Sequence, residues 1–433
     1  MIIMGKSIIK RTLLTILLAV ISLPAMTQNR NLKIRGTVTD IESRAPIYQA
    51  LIYSPDNRCA TQSNEEGEYV ISLTPNSKDE RVVVSAFGYR KDTLRISDLA
   101  RNPEIRLTKG SVLLKEVTIV SYTPTGVIDE ALRRIPENYQ TDTTLNTFFF
   151  RIYRTLDDSL YLFCESLLHS RNEGYDKHLK KRQKRRTLTN TYLVDISHLP
   201  VYDTNLLYDL FKNKRVASEL ISINRHLYFD HILKPSESTF LTSKQDIRDR
   251  YAYAMQEISN DEGEAYFLIS ITWGKTKATL TVNKNDFAIT DIACSIDTAT
   301  LHLTKNDTAT YAPYTTIHYD KSITQYCYRK IGGKYTLVSY SNKFSFTLIG
   351  DSCASQKTLR YENNKIVQLV EQKDCDKPTW DSLSAEKHRL RTYIAPQPDS
   401  LQCATEYWDA FDYIPLRQSI RKQLPRRNER ATD

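Results

Sequence analysis

The sequence predicts a mainly β chain with minor α, built as an N-terminal β-sandwich followed by a larger antiparallel sheet domain with a few helices. Three observations carry this. Short runs between Leu32 and Val120 alternate apolar and polar residues, the period of a strand with one buried face. The alternation returns strongly from Tyr251, in longer runs separated by polar turns. The 27 tyrosines against 12 glycines suit half-buried strand faces, where the ring packs and the hydroxyl stays wet.

Residues 1–27 read as a secretory signal peptide. Lys6, Lys10 and Arg11 form a positive start, Leu13 to Leu23 is an apolar core too short for a comfortable membrane span, and Pro24 breaks it. Cleavage before Gln28 would place Ala25 and Thr27 at the small-residue positions, and no cysteine follows to take a lipid anchor. The protein is therefore expected to be exported, periplasmic or associated with the outer membrane.

Residues 32–121 read as the sandwich. Leu32, Ile34 and Val38 alternate, as do Ala50 and Ile52, then Tyr69, Ile71 and Leu73, then Val82, Val84 and Ala86. Thr39-Asp40, Ser54 to Asn57, Ser63 to Gly67 and Pro75-Asn76 supply the turns, with Gly67 able to take a positive φ. Strands at this spacing imply an antiparallel sandwich of about 90 residues.

Five pieces of this region, in order, carry a family pattern. They are Ile34 to Asp40, Ala45-Pro46-Ile47 leading to Ala50-Leu51-Ile52, Thr61 to Tyr69, Val84 to Tyr89, and Leu114 to Ile119. The pattern closely resembles the carboxypeptidase regulatory-like domain, which implies a transthyretin-like or immunoglobulin-like sandwich of the kind found at the N-terminus of many exported Bacteroidota proteins. The family's structural motif maps onto Gly36, Pro46, Gly67, Gly88 and Tyr89. Where the family usually has a glycine shortly before the Pro46 position, this chain has Glu42-Ser43-Arg44-Ala45.

A linking helix follows over 125–139, with Val127, Ile128, Ala131, Leu132 and Ile135 on one face. Residues 140–415 read as the β-rich domain. Thr147 to Tyr153 and Ser159 to Leu168 pair about Asp157-Asp158, and Phe148 to Phe150 is expected to be core. Glu264 to Thr272, Lys277 to Val282, Ala288 to Asp297, Ala299 to Leu303, Thr315 to Tyr328, Lys334 to Ser341 and Phe344 to Leu348 form a meander. The patterns Thr279 to Asn283 and Phe287-Ala288-Ile289 are similar to lipoprotein-carrier half-barrels, which implies a curved sheet around an apolar ligand. Residues 416–433 form a basic tail, either a disordered end or a docking segment. The sequence ends without the terminal aromatic of an outer-membrane barrel, and a soluble sheet is expected.

The formal charge of +9 invites a nucleic-acid partner, and the expected export removes most of that reading's appeal. The densest cluster, Lys177, Lys180, Lys181, Arg182, Lys184, Arg185 and Arg186, lacks the aromatics of a single-strand binder, and reads as a solvated face or a contact for an envelope glycan. Seven dispersed cysteines form no metal-ligand spacing, and Cys353 with Cys375 is one candidate bridge. The eight histidines give no HxxE or HExxH; His226 and His231 read as ordinary surface or packed residues. No GxSxG, P-loop or dinucleotide motif occurs. The acidic pairs Glu65-Glu66, Asp157-Asp158 and Asp261-Glu262 read as solvated turns. Aspartate-led triplets resemble acceptors for O-glycosylation in exported Bacteroidota proteins, with Thr143, Ser159, Thr308, Ser382 and Ser400 as candidates.

These readings lead to a non-enzymatic envelope protein that needs no cofactor or metal and binds or scaffolds an envelope protein, a glycan or a lipid, peripherally at the outer membrane. The alternatives are a hydrolase with a carboxylate site in the second domain, and a lipid or lipoprotein carrier.

Overall fold

A computed structural model describes residues 32–54, 59–73, 80–86, 89–109, 122–175, 191–196, 201–202, 240–259, 264–302, 314–320, 322–350, 357–386 and 414–424. The signal-peptide segment, the basic cluster at 177–186, Gly88, His226, His231, Asp261-Glu262, Thr308, Ser400 and the end of the tail lie outside them.

Strands β1 (Leu32–Asp40), β2 (Leu51–Ser54), β3 (Cys59–Gln62), β4 (Glu68–Leu73), β5 (Arg81–Ser85) and β6 (Asp92–Arg95), helix α1 (Ile96–Arg101) and strand β7 (Glu104–Leu107) build a sandwich. One sheet has the order β4-β1-β7 and the other β3-β2-β5-β6. Their alternating residues meet in one core: Ile34, Val38 and Ile71 from the first sheet, Ile52, Val82 and Val84 from the second. β1 pairs with β7 in parallel, Thr37 opposite Glu104, so the sandwich is not wholly antiparallel. Turn signals cannot reveal that pairing, because a parallel partner returns only after a long crossover. α1 closes the core with Ile96 and Leu99; at six residues it is too short to show helical periodicity.

Helix α2 (Pro124–Arg133) begins at Thr123, whose hydroxyl accepts the Gly126 amide at 3.1 Å, with Pro124 in the first turn. It buries Val127, Ile128 and Ala131. Arg134 breaks the helix, and a further turn, α3 (Ile135–Asn138), contains Pro136.

The remaining strands are β8 (Thr144–Leu156), β9 (Ser159–Asn172), β10 (Thr191–Ile196) and β11 (Val201–Tyr202), then, after helix α4 (Gln245–Arg248), β12 (Ala252–Ser259), β13 (Ala265–Trp273), β14 (Thr276–Asn283) and β15 (Ile289–Ile296). They continue through β16 (Ala299–His302), β17 (Thr316–Tyr319), β18 (Ser322–Ile331), β19 (Lys334–Gly350) and β20 (Lys357–Asp374). Helices α5 (Lys377–Glu386) and α6 (Gln418–Arg421) come last. The strands form one open 13-stranded sheet, in the order β10-β9-β8-β20-β19-β18-β15-β14-β13-β12, with β11 on β9 and the β16-β17 pair on β19. Among the described residues no helix is long and apolar enough to cross a membrane.

The expected hairpin about Asp157-Asp158 is present, and both aspartates take positive φ, 46° and 63°. Two departures matter for function. The segments expected to stop at Ser341 and restart at Phe344 are one strand, β19, and the long strand β20 was absent from the expected meander. Both carry polar residues through the middle of the sheet.

The inner face of this sheet, defined as the one carrying α2 and α3, is the principal core. Phe148, Phe150 and Ile152 point into it with Ile269, Leu280 and Ile292. On the opposite, outer face Phe149 packs with Leu167, Ile366 and Ile414, and Tyr153 with Phe163, Leu416 and Ile420. The start of the basic tail is therefore packed on the sheet.

Candidate functional site

Strand β20 reads Tyr361-Glu362-Asn363-Asn364-Lys365, so period-two geometry sends Asn363 and Lys365 to the inner face and Glu362 and Asn364 to the outer one. Both faces are covered there, and each polar side chain needs a partner. On the inner face a chain of hydrogen bonds crosses four strands. Arg154 Nε of β8 donates to Asn363 Oδ1 at 3.0 Å, Asn363 Nδ2 to Asn342 Oδ1 of β19 at 3.2 Å, and Asn342 Nδ2 to Thr324 Oγ1 of β18 at 2.8 Å.

Lys365, opposite Asn342 in the register, sets its ammonium 4.4 Å from the centre of the Tyr340 ring. Arg154, Asn363 and Lys365 are respectively 1%, 0% and 4% exposed. The surrounding wall is aromatic: Tyr361 stacks on Phe346 at 4.6 Å and lies near Phe344 and Tyr161. Burial, with the Arg154 guanidinium close by, pulls the Lys365 pKa down to about 7. The site is an island of hydrogen-bond donors and positive charge in an apolar face, suited to an anionic group and unsuited to a cation.

This gives a pH signature. In the unfolded chain Lys365 regains the ordinary lysine value of 10.5, so between about pH 7 and that value the unfolded state holds a proton the folded state has released. The group's contribution to stability thus rises with pH in that window, by about 1.4 kcal/mol per unit. In denaturant titrations at pH 7, 8 and 9, the stability difference between the protein and its Lys365→Met variant is expected to shift steadily in favour of lysine. Parallel profiles would refute the assignment.

A second polar cluster joins the sandwich to the outer face. Asn364 Nδ2 donates to Tyr48 Oη and Glu65 Oε1, both at 3.1 Å, and Tyr153 donates to the same Glu65 oxygen at 2.9 Å. Gln62 of β3 reaches Ser339 of β19. Arg329 links Asp291 at 3.0 Å and Ser85 at 3.3 Å, and Lys91 pairs with Glu264 at 3.2 Å. Leu51 and Ala60 of the sandwich join one hydrophobic cluster with residues of the large sheet. Glu65, expected to be a solvated turn residue, is instead a half-buried acceptor at this junction; the local sequence carries no sign of it, because the partners come from strands far along the chain.

Two glycines of the sandwich motif sit at close backbone approaches. Gly36 backs onto the Pro103 carbonyl, where an added Cβ would lie 1.9 Å from the oxygen. Gly67 has φ +75°, and its Cβ would meet the Val38 carbonyl at 2.5 Å and Pro46 at 3.1 Å, so Pro46 and Gly67 pack together. Tyr89 bridges to Lys109. These residues stand apart from the inner-face island. Of the acceptor candidates, Ser159 is exposed at the β8–β9 hairpin and Ser382 is exposed on α5, whereas Thr143 is half-buried before β8.

Cys164, Cys294, Cys327 and Cys375 are free thiols; Cys353, the other half of the candidate bridge, lies outside the described residues. Burial pushes Cys164 up to about 12 and Cys294 up to about 11, away from nucleophilic reactivity. His302 and His318 hydrogen-bond to threonines across β16 and β17. Among the described residues no group of three or more His, Cys, Asp and Glu is placed to hold a metal.

Comparison with known proteins bears on the first of the two units. The family model of the CarboxypepD_reg-like domain matches residues 34–119. The N-terminal unit is a CarboxypepD_reg-like domain. The match spans the sandwich and stops before α2, so the CarboxypepD_reg-like domain supplies Tyr48, Gln62 and Glu65 to the junction while the inner-face island lies wholly beyond it. No curated protein matches the chain. Among solved structures, a LolA superfamily protein from Nitrosomonas europaea aligns at 11% identity over 61% of this chain and 97% of its own, with a TM-score of 0.22. A Bacteroides fragilis protein of unknown function, described as membrane-associated, aligns at 10% identity over 78% of this chain and 97% of its own, with a TM-score of 0.14. Superpositions at those scores establish no common fold for the region beyond the CarboxypepD_reg-like domain.

Proposed function

We propose that the protein is a non-enzymatic binding protein of the cell envelope, which holds a ligand with an apolar body and an anionic group against the inner face of its large sheet. The observation that supports this reading is the Arg154–Asn363–Asn342–Thr324 hydrogen-bond chain with Lys365 beside it, set in an aromatic wall. Arg154 keeps a guanidinium on this face, and Lys365, whose pKa burial lowers to about 7, can take up a proton when an anionic group arrives. The charge order and proline break of residues 1–27 support export. In this reading the CarboxypepD_reg-like domain is a buttress that fixes the outer face, leaving recognition to the other side.

Dodecyl phosphate and dodecanol differ only in the anionic group, and provide the test. Protein beginning at Gln28, which retains every described residue, is expected to gain thermal stability with the phosphate, much less with the alcohol, and to lose that difference in Lys365→Met. Equal responses to both compounds, or none to either, would sink the proposal.

A further inference from the structure

Large hydrophobic side chains exposed among the described residues are Ile41, Tyr122, Trp273, Ile296, Leu301 and Ile323, and three of the six, Trp273, Ile296 and Leu301, stand at or just beyond the β13–β15 end of the large sheet. Trp273 closes β13 and Ile296 closes β15; through Thr276, which pairs with both, they share one cross-strand row. The row continues to Ser322, and the next residue, Ile323, takes the opposite face. Leu301 follows Ile296 across the Asp297-Thr298 turn. Trp273, at 58%, is the most exposed of the set. It stands at the tip of the β13–β14 hairpin, next to Gly274, around which there is open space. The Tyr251 ring supports it edge-on at 6.1 Å.

Described charged residues around Trp273 are Lys275 in the hairpin turn, Lys277 and Asp297, which pair at 3.7 Å, and the exposed Asp249 and Arg250 beside Tyr251. Cations are in slight excess, on a chain whose formal charge is +9. A stable protein partner would need about 800 Å² on each side, more than a few side chains at a strand end provide. A bilayer needs far less: one tryptophan and a few aliphatic groups entering the headgroup region, with lysines among the phosphates.

We infer that this end of the sheet, led by Trp273 and flanked by Lys275, docks the protein on an anionic lipid surface. The inference is independent of the ligand proposed for the inner face. Protein beginning at Gln28 is expected to co-sediment with phosphatidylcholine vesicles containing phosphatidylglycerol, and much less with phosphatidylcholine alone. Trp273→Ser should lower partitioning about tenfold and Lys275→Ala about fivefold, with thermal stability unchanged because both side chains project from the sheet. Lys365→Met should sediment as the unaltered protein does, which separates this docking from inner-face binding. Absence of sedimentation with the anionic vesicles, or equal sedimentation of Trp273→Ser, would overturn the inference. So would a dimer in analytical ultracentrifugation that Trp273→Ser abolishes, since the patch would then serve a second copy.

Discussion

Gly36→Ala is expected to unfold the CarboxypepD_reg-like domain. The new methyl would sit 1.9 Å from the Pro103 carbonyl oxygen and 2.7 Å from its carbon, both backbone atoms with no flexible end to swing away. The collision arises from how three strands share one residue. Gly36 of β1 stands opposite Tyr69 of β4, and β7 begins on the other side of β1 just after Pro103. Tyr69 extends across the glycine, and its hydroxyl donates to the Pro103 carbonyl at 2.9 Å. A side chain at position 36 would therefore strike Pro103 and obstruct the tyrosine that holds it. A loss of about 3–5 kcal/mol is expected, the range of severe core disruption, against about 1 kcal/mol for Tyr69→Phe, which removes one hydrogen bond. Denaturant unfolding of the two variants checks this; a Gly36→Ala protein no less stable than Tyr69→Phe would refute it.

Arg151→Met is expected to destabilise the large sheet by about 3–5 kcal/mol, because it strands a buried partner. Arg151 and Glu165 face each other across β8 and β9 at 3.3 Å, with side chains 3% and 7% exposed. The same guanidinium donates to the Ile414 and Pro415 carbonyls, and so fastens the segment leading to α6. Methionine keeps the volume and loses every one of these bonds. It leaves a carboxylate in an apolar setting between Phe149 and Leu167 on one side and Phe163 on the other. Adding Glu165→Leu should recover most of the loss, since replacing both members of a buried pair is far milder than removing one. The release of residues 414–424 should persist in the double variant and appear as faster proteolysis there. A loss below 1 kcal/mol in the single variant would count against the latch.

The fold was readable where one face of a strand is buried and the other wet. Ile34, Ile71 and Val84 announce the sandwich, and Phe267, Ile269 and Ile271 announce β13, because apolar residues recur at every second position there. Gly36 and Gly67 were readable as motif residues, and the structure supplies the close approaches that require them. The inner-face island was not readable. Asn363 and Lys365 stand on a central strand buried on both faces, and a run such as Glu362-Asn363-Asn364-Lys365 has the composition of an exposed turn. Only the partners distinguish the two situations, and Asn363 finds Arg154 209 residues away. The junction was hidden for the same reason: the acceptor role of Glu65 depends on Tyr153 and Asn364.

The placement of β20 between β8 and β19 governs the order in which this molecule can be assembled. β8 and β9 form a hairpin as soon as they are made, but Thr144 to Leu156 must wait for Asp374 to Tyr361 to cover the other edge. Until then the growing chain displays the open edge of a thirteen-residue strand that contains three consecutive phenylalanines. Such an edge invites pairing with other nascent copies. Completion of the sheet must therefore await β20, and truncations that remove β20 should yield aggregated rather than shortened protein.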